Sequence, residues 1–215
     1  MGTVASNKGG ADFELIPEGS YLAVCDQVID LGIQPGGQYD PQHKIYLRFQ
    51  VPSERVSWKD KDGNEHEGPM VIGRTFTLSL GEKSHLRPFL ESWRGRAFTK
   101  EELDGFDVKN VLGAGCMVQV IHAELKDGKK FAKVSTAMSL PRGTPKPTHE
   151  GELLYLDADA PSNAVLEKLS KYVREKFQGR LTAEQAITQM ANTPPPAARA
   201  PVQPAQDAFD DDIPF

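Results

Sequence analysis

Alternating apolar and polar positions set in at Tyr21. Leu22, Val24 and Val28 fall between more polar neighbours and predict a strand to about Leu31. Residues 32–41 hold Gly36-Gly37 and two prolines and read as a loop. The next strand, 44–51, splits cleanly: Ile45, Leu47, Phe49 and Val51 on one face, Lys44, Tyr46, Arg48 and Gln50 on the other. Pro52 is expected to end it. Residues 53–69 are charged, carry the turn signal Asp62-Gly63-Asn64, and predict an exposed hairpin or long loop. A third strand over about 70–80 places Phe76, Leu78 and Leu80 inward.

Then the period changes. Leu86, Phe89, Leu90 and Trp93 form one helical stripe, with Ser84 as expected N-cap and Gly95 as terminator. Thr99 with Glu102 makes a capping box for a short turn ending at Gly105. Strands over 116–125 and 130–140 flank the hairpin turn Asp127-Gly128. In the second of these, Ala132, Val134 and Thr136 share one face, Phe131, Lys133 and Ser135 the other. A basic connector, 141–147, leads to an edge strand at 152–156 and one helix over 162–177. Thr182 and Gln185 cap a last helix to about Met190.

Three strands, a helix and two strands is the order of an OB-fold, although other small barrels and α+β folds share it. The expected class is mostly β with added helices: a five-stranded OB-fold barrel, a helix between strands 3 and 4, a C-terminal helix and a disordered tail. Residues 1–12 read as a flexible arm, 13–150 as the barrel domain, 151–190 as a helical extension, and 191–215 as a disordered linker with an acidic tip. That last segment holds six prolines in 25 residues and no apolar periodicity.

Composition narrows the function classes. Net charge is −5, but residues 1–150 hold 19 basic against 20 acidic residues and residues 151–215 hold 6 against 10. The barrel is therefore near neutral and can meet a polyanion if its cations share a face. No apolar run reaches the roughly 20 residues of a membrane helix, and residues 1–10 read as no secretory signal. Cys25 and Cys116 sit alone in strand-like contexts and are expected to be buried thiols. The five histidines show no metal-ligand spacing, so no metal and no cofactor is expected. No phosphate-binding glycine loop and no nucleophile–base set is present, so the chain reads as a non-enzyme.

The first candidate site is Lys44, Tyr46 and Arg48, joined by Arg74 and by the pair Phe131 and Lys133. Single strands are held by cations against phosphates and aromatic rings against bases, and these outward faces offer both. Solubility and β-propensity explain the same pattern equally well. The second candidate is Trp58 among Arg55, Lys59 and Lys61. Its indole either stacks on a base, packs back on the barrel, or meets a second copy. Asp210, Asp211, Asp212, Ile213, Pro214 and Phe215 form the third. An acidic run before a terminal Ile-Pro-Phe suits an apolar pocket with a basic rim on a partner protein.

That tip, after a Pro/Gln/Ala-rich linker, resembles the end of bacterial single-stranded DNA-binding proteins. The body is similar to a phage-encoded family of OB-fold single-stranded DNA-binding proteins. The likeness rests on Gly95-Arg96-Ala97-Phe98-Thr99, Glu102-Leu103, the run 105–113, Cys116 and the hairpin after it. It implies a protein in the host bacterial cytoplasm, on the nucleoid, that coats single-stranded DNA and recruits host or phage replication, recombination and repair proteins through its tip. The oligomeric state stays open, a homo-oligomer among the options. A recombination mediator or annealing protein, and a protein-interaction hub, remain alternatives.

Overall fold

Five antiparallel strands in the order β3-β2-β1-β4-β5 form one strongly curled, half-barrel sheet. The computed structural model describes residues 15–37, 39–59, 63–125 and 127–192. The strands are β1 (Gly19–Gln34), β2 (Gln42–Lys59), β3 (Glu65–Thr77), β4 (Gly115–Glu124) and β5 (Lys130–Met138). β1 is long enough to serve two partners on one edge: residues 19–24 pair with β4, and Gln27–Ile29 pair in parallel with β6 (Leu154–Leu156). The expected edge strand at 152–156 is thus laid beside the middle of β1.

The inward faces follow the alternation. Ile45, Leu47, Phe49 and Val51 of β2 meet Val28, Ile72, Phe76, Cys116, Val118 and Val120 in one core. Both cysteines are buried and free, and burial raises both thiols above their ordinary range. Helix α1 (Leu86–Arg94) closes one end of this core. Its Trp93 ring lies 5.4 Å from Phe49 and its Phe89 ring 4.7 Å from Phe76, and the Trp93 indole N–H donates to the Gly115 carbonyl at 3.1 Å. Gly95, at φ 68, ends the helix in the left-handed conformation that favours glycine. The N-cap position is His85; Ser84 Oγ accepts from the Leu86 N–H at 3.1 Å. The capping box at Thr99 and Glu102 forms as expected and opens α2 (Lys100–Asp104).

Four local expectations are corrected. Pro52 does not end β2. The strand absorbs Pro52, Ser53 and Glu54 in a register shift between Val51 and Arg55 and continues to Lys59, because a bulge lets a proline sit where no ladder bond is needed. β3 starts at Glu65, not at about residue 70, and Arg55–Lys59 pair with Glu65–Pro69 as a two-stranded ribbon, the hairpin alternative of the two expected. In β5 the core-facing residue after Val134 is Ala137, not Thr136, because the register shift opposite Gln119–Val120 leaves Ser135 extra. The helix expected over 162–177 is two, α3 (Asn163–Lys168) and α4 (Lys171–Gln178). Ser170 breaks the run by capping α4 through the Val173 N–H, 3.4 Å away.

The second apolar cluster lies outside the curl. Ile29 and Leu31, on the outer face of β1, pack with Leu154, Leu156, Leu169, Val173 and Phe177 of the extension. The Leu181 N–H to the Ile33 carbonyl, 2.7 Å, ties the chain after α4 to the end of β1. The last described helix, α5 (Ala183–Asn192), starts where Thr182 and Gln185 bond reciprocally. No helix among the described residues is long and apolar enough to cross a membrane.

Candidate nucleic-acid interface

The alternation does turn Lys44, Tyr46 and Arg48 to the outer face of β2, opposite Thr77, Thr75 and Gly73 of β3. That face is not open along its length. The Tyr46 ring lies across Gly73, where an added Cβ would sit 2.0 Å from the phenol oxygen, and it packs against the extension. Burial pushes the Tyr46 phenol up to about 12, against the opposing pull of Arg48. Tyr46, expected to present its ring to a base, is instead part of the seam between barrel and extension.

Arg48 is engaged one step along. It grips Asp26, which is fully buried, through Nε at 3.1 Å and Nη2 at 2.5 Å. The buried Gln27 amide, with its oxygen turned to the guanidinium, accepts from Nη1 at 3.0 Å and Nη2 at 2.8 Å. Gln50 completes the network. Its amide donates to Asp26 at 2.9 Å and pairs with the Glu150 backbone in both directions, at 2.7 and 2.9 Å. A charge with no water around it needs such a set of partners. Arg48 therefore holds the fold and anchors the start of the extension, which corrects the expectation of a phosphate-facing cation.

Two further expectations change. Arg74 faces inward, opposite Leu47. Its Nη1 donates to the Val134 and Ser135 carbonyls of β5 at 3.0 and 2.7 Å, and its guanidinium lies 4.8 Å from the Phe76 ring centre. It bridges β3 and β5, the two ends of the curled sheet. Phe131 is 4% exposed, so its ring is not offered to solvent, whereas Lys133 beside it is half-buried.

The ribbon separates what the sequence grouped. Side chains alternate, so Arg55 and Lys59 share one face and Trp58 takes the other. On the charged face Arg55 pairs with Glu67 at 2.9 Å and with Glu150, and Lys59 pairs with Glu65 at 3.0 Å. On the aromatic face Trp58, 48% exposed, stacks with His66 at 5.8 Å and 21°. The outer edge of the indole lies over Gly68, 3.0 Å from where a Cβ would be. Closer to the barrel on the same face, Val56 packs on the core. Lys61 and residues 210–215, the docking tip, lie outside the described residues.

Three features were missed in the sequence. Tyr39, 51% exposed in the β1–β2 loop, is the other strongly exposed aromatic among the described residues; its place beside Gly36-Gly37 was the available signal. His66 joins Trp58 because the two flank the hairpin symmetrically. Asp26 gave no signal, since its burial follows from a register shift between Cys25 and Gln27. Among the described residues, no three His, Cys, Asp or Glu side chains gather as a metal site. No protein-family model matches the chain, and no curated protein sequence matches it.

Proposed function

We propose that this chain is a sequence-independent single-stranded DNA-binding protein on a five-stranded OB-fold barrel. It coats and protects single strands in phage DNA replication, recombination or repair, and recruits partner proteins through its C-terminal tip. The observation that carries the reading is a pair of exposed aromatics at the two ends of one strand: Tyr39 just before β2, and Trp58 near its end. Every base has a π-face, so such platforms bind without reading sequence. Lys44 lies between them on the outer face of β2. The strand order, with β1 between β2 and β4, is compatible with the barrel.

A second reading draws on charge. Residues 53–69 hold three basic and five acidic residues, which suits a protein surface better than a phosphate backbone. Fluorescence anisotropy with labelled dT30 separates the two readings. Each stacked base contributes about 1–3 kcal/mol, so Trp58→Ala and Tyr39→Ala should each weaken binding about 5- to 150-fold. Wild-type affinity in both variants would remove the aromatic platform. No binding by the intact chain at low salt would remove the DNA reading.

A further inference from the structure

The extension that covers Tyr46 brings a surface of its own. Residues 163–180 hold five basic residues, Lys168, Lys171, Arg174, Lys176 and Arg180, against two acidic ones, Glu167 and Glu175. This is the reverse of the balance in the ribbon. Part of that charge is structural. Lys168 pairs with Glu152 at 2.5 Å, and Arg174 donates to the Glu167 and Leu169 carbonyls at 3.3 and 2.9 Å, closing the end of α3. Lys171, 89% exposed, lies 3.8 Å from Glu175. Arg180 sits on the Phe177 ring at 3.9 Å.

Between α4 and the β1–β2 loop is a groove of about 550 Å³. One wall is the run Gln34, Pro35, Gly36 and Gly37, whose two glycines leave their backbone open to the groove. The other is Tyr172, with the Lys176 ammonium 5.7 Å from its ring centre, and Glu175 at the rim. The groove is built, not incidental. Gln34 is buried and donates to both the Leu31 and Lys176 carbonyls, at 2.6 and 3.2 Å, so β1 and α4 are locked across it. Tyr39 stands in the same loop, two residues past Gly37, and its N–H bonds the Gly36 carbonyl at 2.9 Å.

We propose that this groove is a nucleotide subsite for single-stranded nucleic acid. A flat base enters between the glycine backbone and Tyr172, and its phosphate meets Lys176 and Lys171. The inference rests on the DNA-binding reading and extends it. The strand would lie on the extension and pass Tyr39 and Lys44 at the start of β2, while Trp58, on the other face beside Val56, makes a separate contact. The extension thus replaces the face it covers with a stacking ring and cations of its own.

The test measures dT30 binding by Tyr172→Leu and Lys176→Gln chains of full length, with melting temperature and circular dichroism as fold controls. The ordinary energy of one stacked base or one phosphate contact predicts about fivefold or greater weakening in each. Lys176→Gln should also flatten the salt slope by about 0.7, the value for one phosphate on a single strand. Lys176→Gln changes a half-buried side chain but keeps the backbone carbonyl that Gln34 bonds, so it stands even if Tyr172→Leu loosens the fold. Unchanged affinity in both variants, with Trp58→Ala still weakened, overturns the groove alone. Absent wild-type binding overturns the groove and the DNA reading together. Variant-sensitive binding of free dTMP with unchanged dT30 affinity overturns it in favour of a mononucleotide site. An effect that vanishes once residues 207–215 are deleted overturns it by assigning the groove to the chain's own acidic end.

Discussion

Arg48→Ala distinguishes a DNA-facing cation from a structural one. In the native fold Arg48 reaches both Asp26 oxygens, and Asp26 is fully buried. Without the guanidinium, the carboxylate keeps the Gln50 amide at 2.9 Å as its remaining side-chain partner. Breaking a buried ion pair by removing one member costs about 3–5 kcal/mol, because the other charge is stranded. The Arg48 side chain is 22% exposed, so water can enter the gap and the lower end, about 3 kcal/mol, applies. For a folded unit of this size, 1 kcal/mol shifts the melting temperature by about 2–4 °C, giving a loss of about 6–12 °C. Thermal unfolding followed by circular dichroism reads it directly. Adding Asp26→Asn removes the stranded charge and should recover part of the loss. An Arg48→Ala protein that melts with wild type but binds dT30 tenfold more weakly would refute the reasoning, since Arg48 would then act on phosphate.

Other outcomes follow from the same geometry. Arg74→Ala leaves the Val134 and Ser135 carbonyls without their cation; hydrogen bonds to a charged group contribute about 1.5–3 kcal/mol each, so urea unfolding should show a loss of at least about 2 kcal/mol. Gly73→Ala drives a Cβ into the Tyr46 ring, and should both lower the melting temperature and shift the late-titrating tyrosine absorbance. Arg96 first, with the Thr99 N–H and Arg94, holds the Glu102 carboxyl down from 4.5 to about 2. A depressed folded value means its stabilisation is present above pH 4.5 and is lost as pH falls towards 2. Glu102→Gln should therefore melt below wild type at pH 7, and the gap should close near pH 2; a pH-independent gap would show that charge plays no part. Deletion of 207–215 should tighten dT30 binding at low salt if the acidic end competes for the same cations, and unchanged affinity would dismiss that competition.

The barrel strands were legible because their signal is local. Ile45, Leu47, Phe49 and Val51 point inward as their alternation says, and Trp93 completes a helical stripe into the core. The capping boxes at Thr99 and Thr182 were legible for the same reason: three residues suffice to define them. The site was far less so. Alternation says which residues face out of a sheet, but not what later lies on top of them. Tyr46 and Arg48 do face out, but residues more than 100 positions later cover Tyr46, and Arg48 is taken up by Asp26 and Gln27 of β1. Arg74 could have been assigned inward by parity with Phe76, and Trp58 parted from Arg55 and Lys59, since both need only a period of two. Asp26, Gln27 and Ser135 depend on register shifts, which leave no trace in the apolar pattern.

The central claim is that the chain holds single strands by stacking on Trp58. The direct measurement is intrinsic tryptophan fluorescence of the intact protein during titration with dT30 at low salt, repeated with Trp58→Phe. Trp93 is buried against Phe49 and serves as the internal reference. The account predicts saturable quenching that disappears in Trp58→Phe, and an affinity falling with salt at a log–log slope of about −0.7 per phosphate contacted. No quenching and no anisotropy change at the lowest salt would contradict it.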